Sequence, residues 1–262
     1  MLDHFNIPPG AGFPDHPHRG QETITYLLEG AVDHEDFTGS AGTIYAGDLQ
    51  FMTAGKGIVH AEMPNQNQRA NIGMQLWVDL PEEDKMSEPQ YRDLKGSQIP
   101  HVDVDGGKVK VIIIKSHSHG TDSLPDFRPT KTEISMLDIE IKPGGKITQK
   151  VDDNWNAFAY VLGGDIRFGE GEDKTVIGQY NFVKFKQEGD VVVAEVDENA
   201  TESGRFILVA GKPLDQTVVQ YGPFVLTTQE DALQAVSDYR ASKNGFERAW
   251  GWSSKIGRTR IL

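Results

Sequence analysis

The chain has 262 residues, 37% of them hydrophobic and 25% charged, so it can bury a sizeable core, yet it holds no uninterrupted apolar run of bilayer length. Its 39 acidic and 26 basic side chains give a formal charge of −13, which opposes the counterion release that binds proteins to nucleic acid and offers nothing to an anionic membrane. The absence of cysteine excludes disulfides, thiolate metal sites and cysteine nucleophiles, leaves His, Asp and Glu to hold any metal, and fits an intracellular protein.

With 28 glycines and 13 prolines the composition favours short strands joined by turns, so the expectation is a mostly β protein. Met1-Leu2-Asp3-His4-Phe5 lacks the basic and apolar segments of a secretory signal and reads as the start of a strand. From Glu22 to Leu80 short apolar or alternating runs (Thr23 to Leu28, Gly42 to Tyr45, Met74 to Val78) are cut by Glu29-Gly30, Gly39, Gly47-Asp48 and Gly55/Gly57, a spacing that suits a small β-barrel. Pro81 to Gly107 is polar, with a short helix expected at Gln90 to Leu94, and the domain joint is placed there, giving domains 1–107 and 108–262. A second set of strands is expected at Val109–Ile114, Glu133–Lys142, Ala157–Leu162, Val191–Val196 and Arg205–Ala210. Tyr26-Leu27-Leu28-Glu29-Gly30 aligns with Tyr160-Val161-Leu162-Gly163-Gly164, and Gly47-Asp48 aligns with Gly189-Asp190, which implies a duplicated β unit. Thr228-Gln229-Glu230-Asp231 is a capping-box start for a helix from Ala232 to Lys243 that stops at Gly245 and packs on the barrels.

In His16-Pro17-His18 two imidazoles stand two residues apart, so an extended chain projects both to one face. His60-Ala61-Glu62 repeats the device after the turn-rich Gly55-Lys56-Gly57, adding a third imidazole and a carboxylate. Three histidines and a carboxylate without sulfur suit Fe(II), Mn(II), Ni(II), Cu(II) or Zn(II), and ligand type does not choose among them. Glu22, four residues after His18, competes with Glu62 for the carboxylate place, and Glu62 is preferred. His117-Ser118-His119 has no second pair nearby and reads as a solvated loop, while His4, His34 and His101 read as structural or exposed. In the second half the positions matching His16 and His18 are Lys150 and Asp152, and no histidine follows His119, so that barrel cannot repeat the site. No Gly-rich phosphate loop opens a helix and no Gly-x-Ser-x-Gly elbow occurs, which leaves nucleotide-dependent and serine-hydrolase readings without support.

At these residues the chain resembles the pirin family of two-domain cupins. The resemblance is carried by Phe13-Pro14-Asp15-His16-Pro17-His18-Arg19-Gly20, Tyr26-Leu27-Leu28-Glu29-Gly30, Gly47-Asp48-Leu49-Gln50, Met52-Thr53-Ala54-Gly55, Gly57-Ile58, His60-Ala61-Glu62-Met63-Pro64 and Lys243-Asn244-Gly245-Phe246-Glu247-Arg248-Ala249, and it runs from Met1 to about Gly257. It implies an all-β fold of two antiparallel cupin (jelly-roll) barrels with a C-terminal helix, and Fe(2+) bound in the first barrel by His16, His18, His60 and Glu62. It also implies two functions: quercetin (flavonol) 2,3-dioxygenase, with Glu62 as the base toward a flavonol hydroxyl, or a nuclear transcription cofactor that uses iron as a structural or redox-sensing centre and docks on a transcription factor. A monomer in nucleus or cytoplasm is expected. Members usually carry further residues before the segment matching Met1 to Phe5, which implies an N-terminally shortened form and leaves completion of the first barrel open. Gln21 stands where the family usually has Phe, and Phe51 where it usually has Trp; both are expected near the site, where they would change pocket polarity.

Overall fold

In the computed structural model, which describes residues 1–65, 70–114, 130–171 and 174–258, the short runs between glycine turns all become strands. Contact density divides the chain into residues 1–98 with 215–262, and residues 99–214.

The first unit contains β1 (Leu2–Ile7), β2 (Phe13–His18), β3 (Gln21–Glu29), β4 (Ala31–Asp36), β5 (Ala41–Tyr45), β6 (Leu49–Thr53), β7 (Ile58–Pro64), β8 (Asn71–Asp79) and β9 (Gln90–Leu94). They form a five-stranded sheet of order β1-β8-β3-β6-β9 and a four-stranded sheet of order β2-β7-β4-β5. β2 carries Pro14 and Pro17, which lack an amide donor, and it lies at a sheet edge, where a missing donor costs least. Its two-residue link to β3, Arg19-Gly20, carries the chain from one sheet to the other. Gly20 has φ +79° and a Cβ there would lie 2.0 Å from the Val225 carbonyl oxygen, so only glycine fits.

The segment Gln90–Leu94, expected as a short helix, is the edge strand β9, paired with β6 from Leu49↔Leu94 to Thr53↔Gln90. Five residues gain more backbone hydrogen bonds along an open sheet edge than in an isolated helical turn, whose nucleation is unfavourable.

The second unit contains β10 (His101–Val104), β11 (Gly107–Ile114), β12 (Ile134–Ile141), β13 (Lys146–Lys150), β14 (Asn156–Gly163), β15 (Ile166–Phe168), β16 (Thr175–Ile177), β17 (Phe182–Lys184), β18 (Val191–Glu195) and β19 (Gly204–Gly211). Its sheets run β10-β11-β12-β19-β14-β17 and β13-β18-β15-β16. The duplication is therefore visible in the topology: β1-β8-β3-β6 corresponds to β12-β19-β14-β17, and β2-β7-β4-β5 to β13-β18-β15-β16. Even the register shifts match, between Leu27 and Glu29 in one copy and between Val161 and Gly163 in the other. One aligned pair is corrected. Gly47-Asp48 joins β5 to β6, whose counterpart joins β16 to β17 at residues 178–181, whereas Gly189-Asp190 joins β17 to β18. A Gly-Asp turn is common enough to recur at non-equivalent corners.

The division at 107/108 with the C-terminal helix in the second domain is replaced by the observed one, in which residues 215–262 return to the first unit. The reason is apolar. β20 (Val219–Tyr221), β21 (Phe224–Leu226) and α1 (Gln229–Ala241) follow the second barrel in sequence. With the residues that follow α1, they bury Phe224, Leu226, Ala232, Ala235 and Phe246 in one cluster with Met52, Ala54, Ile58 and Val59. Thr228 caps α1 by accepting from the Asp231 amide at 3.1 Å, as the capping box predicts. The helix ends at Ser242, whose φ is +52°, three residues before the expected Gly245. Arg19 fastens the segment: its guanidinium lies 4.7 Å from the Phe246 ring centroid, pairs with Asp238 at 2.8 Å and donates to the Lys56 and Asn244 carbonyls.

Among the described residues no helix is long and apolar enough to cross a membrane.

Candidate metal centre

Register across β8, β3, β6 and β9 sets Gln75, Thr25, Gln50 and Asp93 in one row and Trp77, Thr23, Met52 and Tyr91 in the next. Alternate residues share a face, so both rows look the same way, while Ile24, Phe51 and Arg92 point to the other side. From the four-stranded sheet, His16 lies opposite His60, His60 opposite Asp36, and Glu62 opposite His34. Hydrogen bonds from Thr25 and Gln75 to Glu62, and one between Tyr91 and His60, join the two sheets around this interior.

The structure brings His16, His18 and His60 together. One nitrogen from each lies within 4.8 Å of the others, and the ring centroids are 4.3 to 5.0 Å apart. His16 is half-buried, whereas His18 and His60 are buried. Each ring has an outer partner at Nδ1. His16 Nδ1 lies 2.8 Å from the Pro14 carbonyl, which can only accept, so that nitrogen carries a proton and the ligating tautomer of the ring is the one with its lone pair on Nε2. His18 Nδ1 lies 2.7 Å from the Gln21 side-chain amide, and His60 Nδ1 lies 2.6 Å from the Tyr91 hydroxyl. His60 Nε2 is buried without a hydrogen-bond partner among the described residues. A buried nitrogen with nothing to bond is costly, and it is the kind of atom a metal ion satisfies.

Electrostatics agree with that donor set. Burial pushes the His18 and His60 imidazoles well below their ordinary range, and neighbouring histidines, His16 for both, push the same way; the Pro223 carbonyl partly opposes this at His18. Both rings are therefore held neutral, which is the ligating form. Burial also raises the Tyr91 phenol well above its ordinary value, followed by the charges of Glu62, Asp36 and Asp93, so its hydroxyl keeps its proton.

Glu62 is buried beside the cluster but outside the group of mutually close nitrogens; its carboxylate accepts from Gln75 at 3.0 Å and Thr25 at 3.4 Å. Gln75 in turn accepts from the Trp77 indole at 2.8 Å, and that ring stands edge-on to His18 at 5.2 Å. Glu22 is placed elsewhere. The Arg19-Gly20 link breaks the parity counted from His18, so β3 turns Gln21 and Thr25 toward the cluster and Glu22 to the opposite face, where it accepts from Thr53 at 2.7 Å. Phe51 lies on that opposite face too, which corrects its expected place near the site, whereas Gln21 touches His18 directly. Its amide is engaged by a histidine, and Gln21 is buried.

Of the other histidines, His34 is buried and bonds Asp93 at 2.8 Å, His4 is half-buried and His101 exposed. His117 and His119 lie outside the described residues. In the second unit Lys150 is exposed and Asp152 half-buried, and β13 and β18 send Ile147, Val192 and Ala194 into an apolar core. Tyr91, Gln75 and Asp36 were not singled out by sequence reasoning. Only the pairing of β9 with β6 brings Tyr91 inside.

Comparison with known proteins places this geometry in a family. The family model described as Pirin matches residues 2–78, and that described as Pirin C-terminal cupin domain matches residues 136–245. The chain is 45% identical to Pirin-like protein 2 of Arabidopsis thaliana over 261 residues, covering 97% of this chain and 78% of that one. It is 44% identical to Pirin of Homo sapiens over 258 residues, covering 98% and 86%. Among solved structures, quercetin 2,3-dioxygenase from Acinetobacter baumannii superposes with a TM-score of 0.81 at 28% identity, covering 94% of this chain and 84% of that one. With both family models matched and relatives aligned over nearly its whole length, the chain belongs to the pirin family of two-barrel cupins.

Proposed function

We propose that the first barrel is an iron centre acting as a flavonol 2,3-dioxygenase, in which His16, His18 and His60 hold the ion and Glu62 is the fourth ligand or the base. The observation that carries this reading is the set of three inward imidazole nitrogens within 4.8 Å of one another, one of them buried and unpartnered. A divalent transition ion bound there supplies Lewis-acid polarisation of substrate oxygens and redox access to dioxygen. The remaining work falls to the chain. Glu62, aimed by Gln75 and Thr25, takes the flavonol hydroxyl proton; a carboxylate fixed by two donors presents its basic oxygen without having to reorganise. Phe13, 42% exposed, lies 6.3 Å from the half-buried His16, and Trp77 flanks His18; these rings offer apolar faces to a flat aromatic substrate. The relation to a quercetin 2,3-dioxygenase structure supports the substrate class.

The test is quercetin consumption under air by protein loaded with Fe(II). Turnover well above that of free iron is expected, with Glu62→Gln lowering it by about 100-fold or more, the usual contribution of a general base. Metal retention without turnover in either protein overturns the dioxygenase reading. The function then lies in protein binding, with the charge of −13 matched to a basic transcription-factor surface in nucleus or cytoplasm and the metal serving as a structural or redox-sensing group.

A further inference from the structure

Two residues of β2 have no counterpart on β7. The ladder pairs Phe13 with Glu62 and resumes with His16 opposite His60, so Pro14 and Asp15 stand against the single Ala61, a β-bulge immediately before the first candidate ligand. A bulge re-aims the side chain beside it. This one also supplies the outer partner of His16, because the Pro14 carbonyl is the acceptor 2.8 Å from its Nδ1. β2 lies at a sheet edge, and Pro14 and Pro17 bring no amide hydrogen to it. His18 and His60 are buried and sit in regular register, opposite Ile58 and opposite His16 and Asp36. The aim of the half-buried His16 therefore depends on what holds Pro14 and Asp15.

That support comes from the far end of the sequence. Beyond Trp252, whose ring meets Phe37 edge-on at 6.5 Å, the chain enters a one-turn helix, α2 (Lys255–Arg258), packed on β2, β4 and β7. Both oxygens of the Asp15 carboxylate accept from the Ser254 amide, at 3.1 and 3.3 Å. Ser254 is fully buried, and its hydroxyl accepts from the Gly257 amide at 3.0 Å, which closes the turn. Gly257 is buried too. A Cβ there would lie 2.7 Å from the Ser254 hydroxyl oxygen, 3.3 Å from Asp15 Oδ1 and 3.8 Å from the Pro14 Cα, so a side chain would wedge α2 away from the bulge. The segment is also tied to β4, where Glu35 accepts from the Lys255 amide at 2.8 Å. It thus spans β2 and β4, the two neighbours of β7, which carries His60 and Glu62.

We propose that the C-terminal segment, residues 252–258, is a clasp that holds the bulge of Pro14 and Asp15 and thereby aims His16 at the metal position, with Asp15 as the positioning residue. An edge strand with few ladder hydrogen bonds opens locally at small cost. Attachment of the clasp to β2 at one end and β4 at the other removes that freedom, so binding an ion does not carry the cost of ordering His16. The device joins residues 239 positions apart in the sequence. The inference rests on the metal-site reading above, and its experiment separates the two.

The test titrates Zn(II), which is diamagnetic, into the metal-free protein against a chelator of known affinity. Asp15→Ala is expected to weaken binding by about tenfold, and Gly257→Val, which alters the clasp and leaves β2 untouched, to weaken it in the same way. Asp15→Asn keeps one oxygen acceptor for the Ser254 amide, so it should fall between the wild type and Asp15→Ala, and it takes the place of Asp15→Ala if that variant does not fold. In the zinc-loaded protein the imidazole nitrogen resonances of His16 should move in Asp15→Ala and Gly257→Val while those of His18 and His60 stay, a pattern that loss of stability alone does not produce. Folded variants at both positions with affinities within about twofold of the wild type overturn the inference. Weakening at Asp15 alone also overturns it, because the effect then arises within β2, and so does equal movement of all three rings. Failure of the wild type to bind Zn(II) overturns the metal reading, and the inference with it.

Discussion

The metal-free protein should lose stability in a defined acid window, because two buried imidazoles are kept neutral by the fold. His18 and His60 are both held well below the ordinary range, chiefly by burial, whereas in the unfolded chain each binds a proton at about pH 6.5. Below that pH the unfolded state binds more protons than the native state, so the stability contributed by neutral burial is complete above about pH 6.5 and is lost as pH falls. Each unmatched proton changes the unfolding free energy by about 1.4 kcal/mol per pH unit, so the pair sets a limiting slope of about 2.7 kcal/mol per unit between pH 6 and 5. Burial pushes Asp93 and Asp238 up, but hydrogen bonds from His34 and Gln50, and from Arg19, Gln234 and Asn244, outweigh it and hold both below the usual carboxylate range, so neither takes up a proton in the native state in this window. The assay is urea unfolding of the metal-free protein at closely spaced pH values, for wild type and His60→Gln. The slope should fall by about 1.4 kcal/mol per unit in the variant, whatever happens to its absolute stability. Identical slopes would refute the claim that His60 is buried neutral. Half-buried His4 is also lowered by burial, against the charge of Asp3, but it contributes equally to both proteins and cancels.

His16→Ala and His60→Ala should each remove most bound transition metal, while His101→Ala, which alters an exposed ring, should leave metal content unchanged; element analysis after dialysis decides, and stoichiometric metal in either of the first two variants counts against the cluster. Arg19→Met should cost about 3–5 kcal/mol in chemical denaturation, because it leaves the buried Asp238 carboxylate without its cation. A loss under about 1 kcal/mol would show that Gln234 and Asn244 suffice for Asp238.

The legible part of this site was the part written locally. His16 and His18, and His60 and Glu62, are period-two pairs, and period two is a property of a strand whatever sheet it joins. The failures are equally local in origin. Counting Glu22 from His18 assumed one continuous strand, but Gly20 turns the chain onto a second sheet and resets the parity. Phe51 was placed by its neighbourhood in sequence, and its register opposite Ile24 sends it to the far face. Gln90–Leu94 carries a polar, weakly patterned sequence whose strand character comes from the free edge of β6, which no window of the chain reveals. The C-terminal helix was found from its cap, yet its partner was not, because Arg19 and Asp238 are 219 residues apart.

The same contrast separates the proposed ligands from the groups that contact them. A metal ion needs several donors at one point, and strand periodicity delivers donors in pairs, so a ligand set leaves a recurrent trace in the text. The outer partners have no shared chemistry or spacing: a proline carbonyl two residues before His16, a glutamine amide three residues after His18, and a tyrosine hydroxyl 31 residues after His60. What they share is a place, the atom behind each ring, and it is set by the register of two sheets facing one interior. Gln21 shows the consequence. Read from sequence it was a polar replacement in a pocket, whereas in the fold its amide is spent on a histidine. Its effect should therefore appear first in metal affinity and only through that in substrate choice.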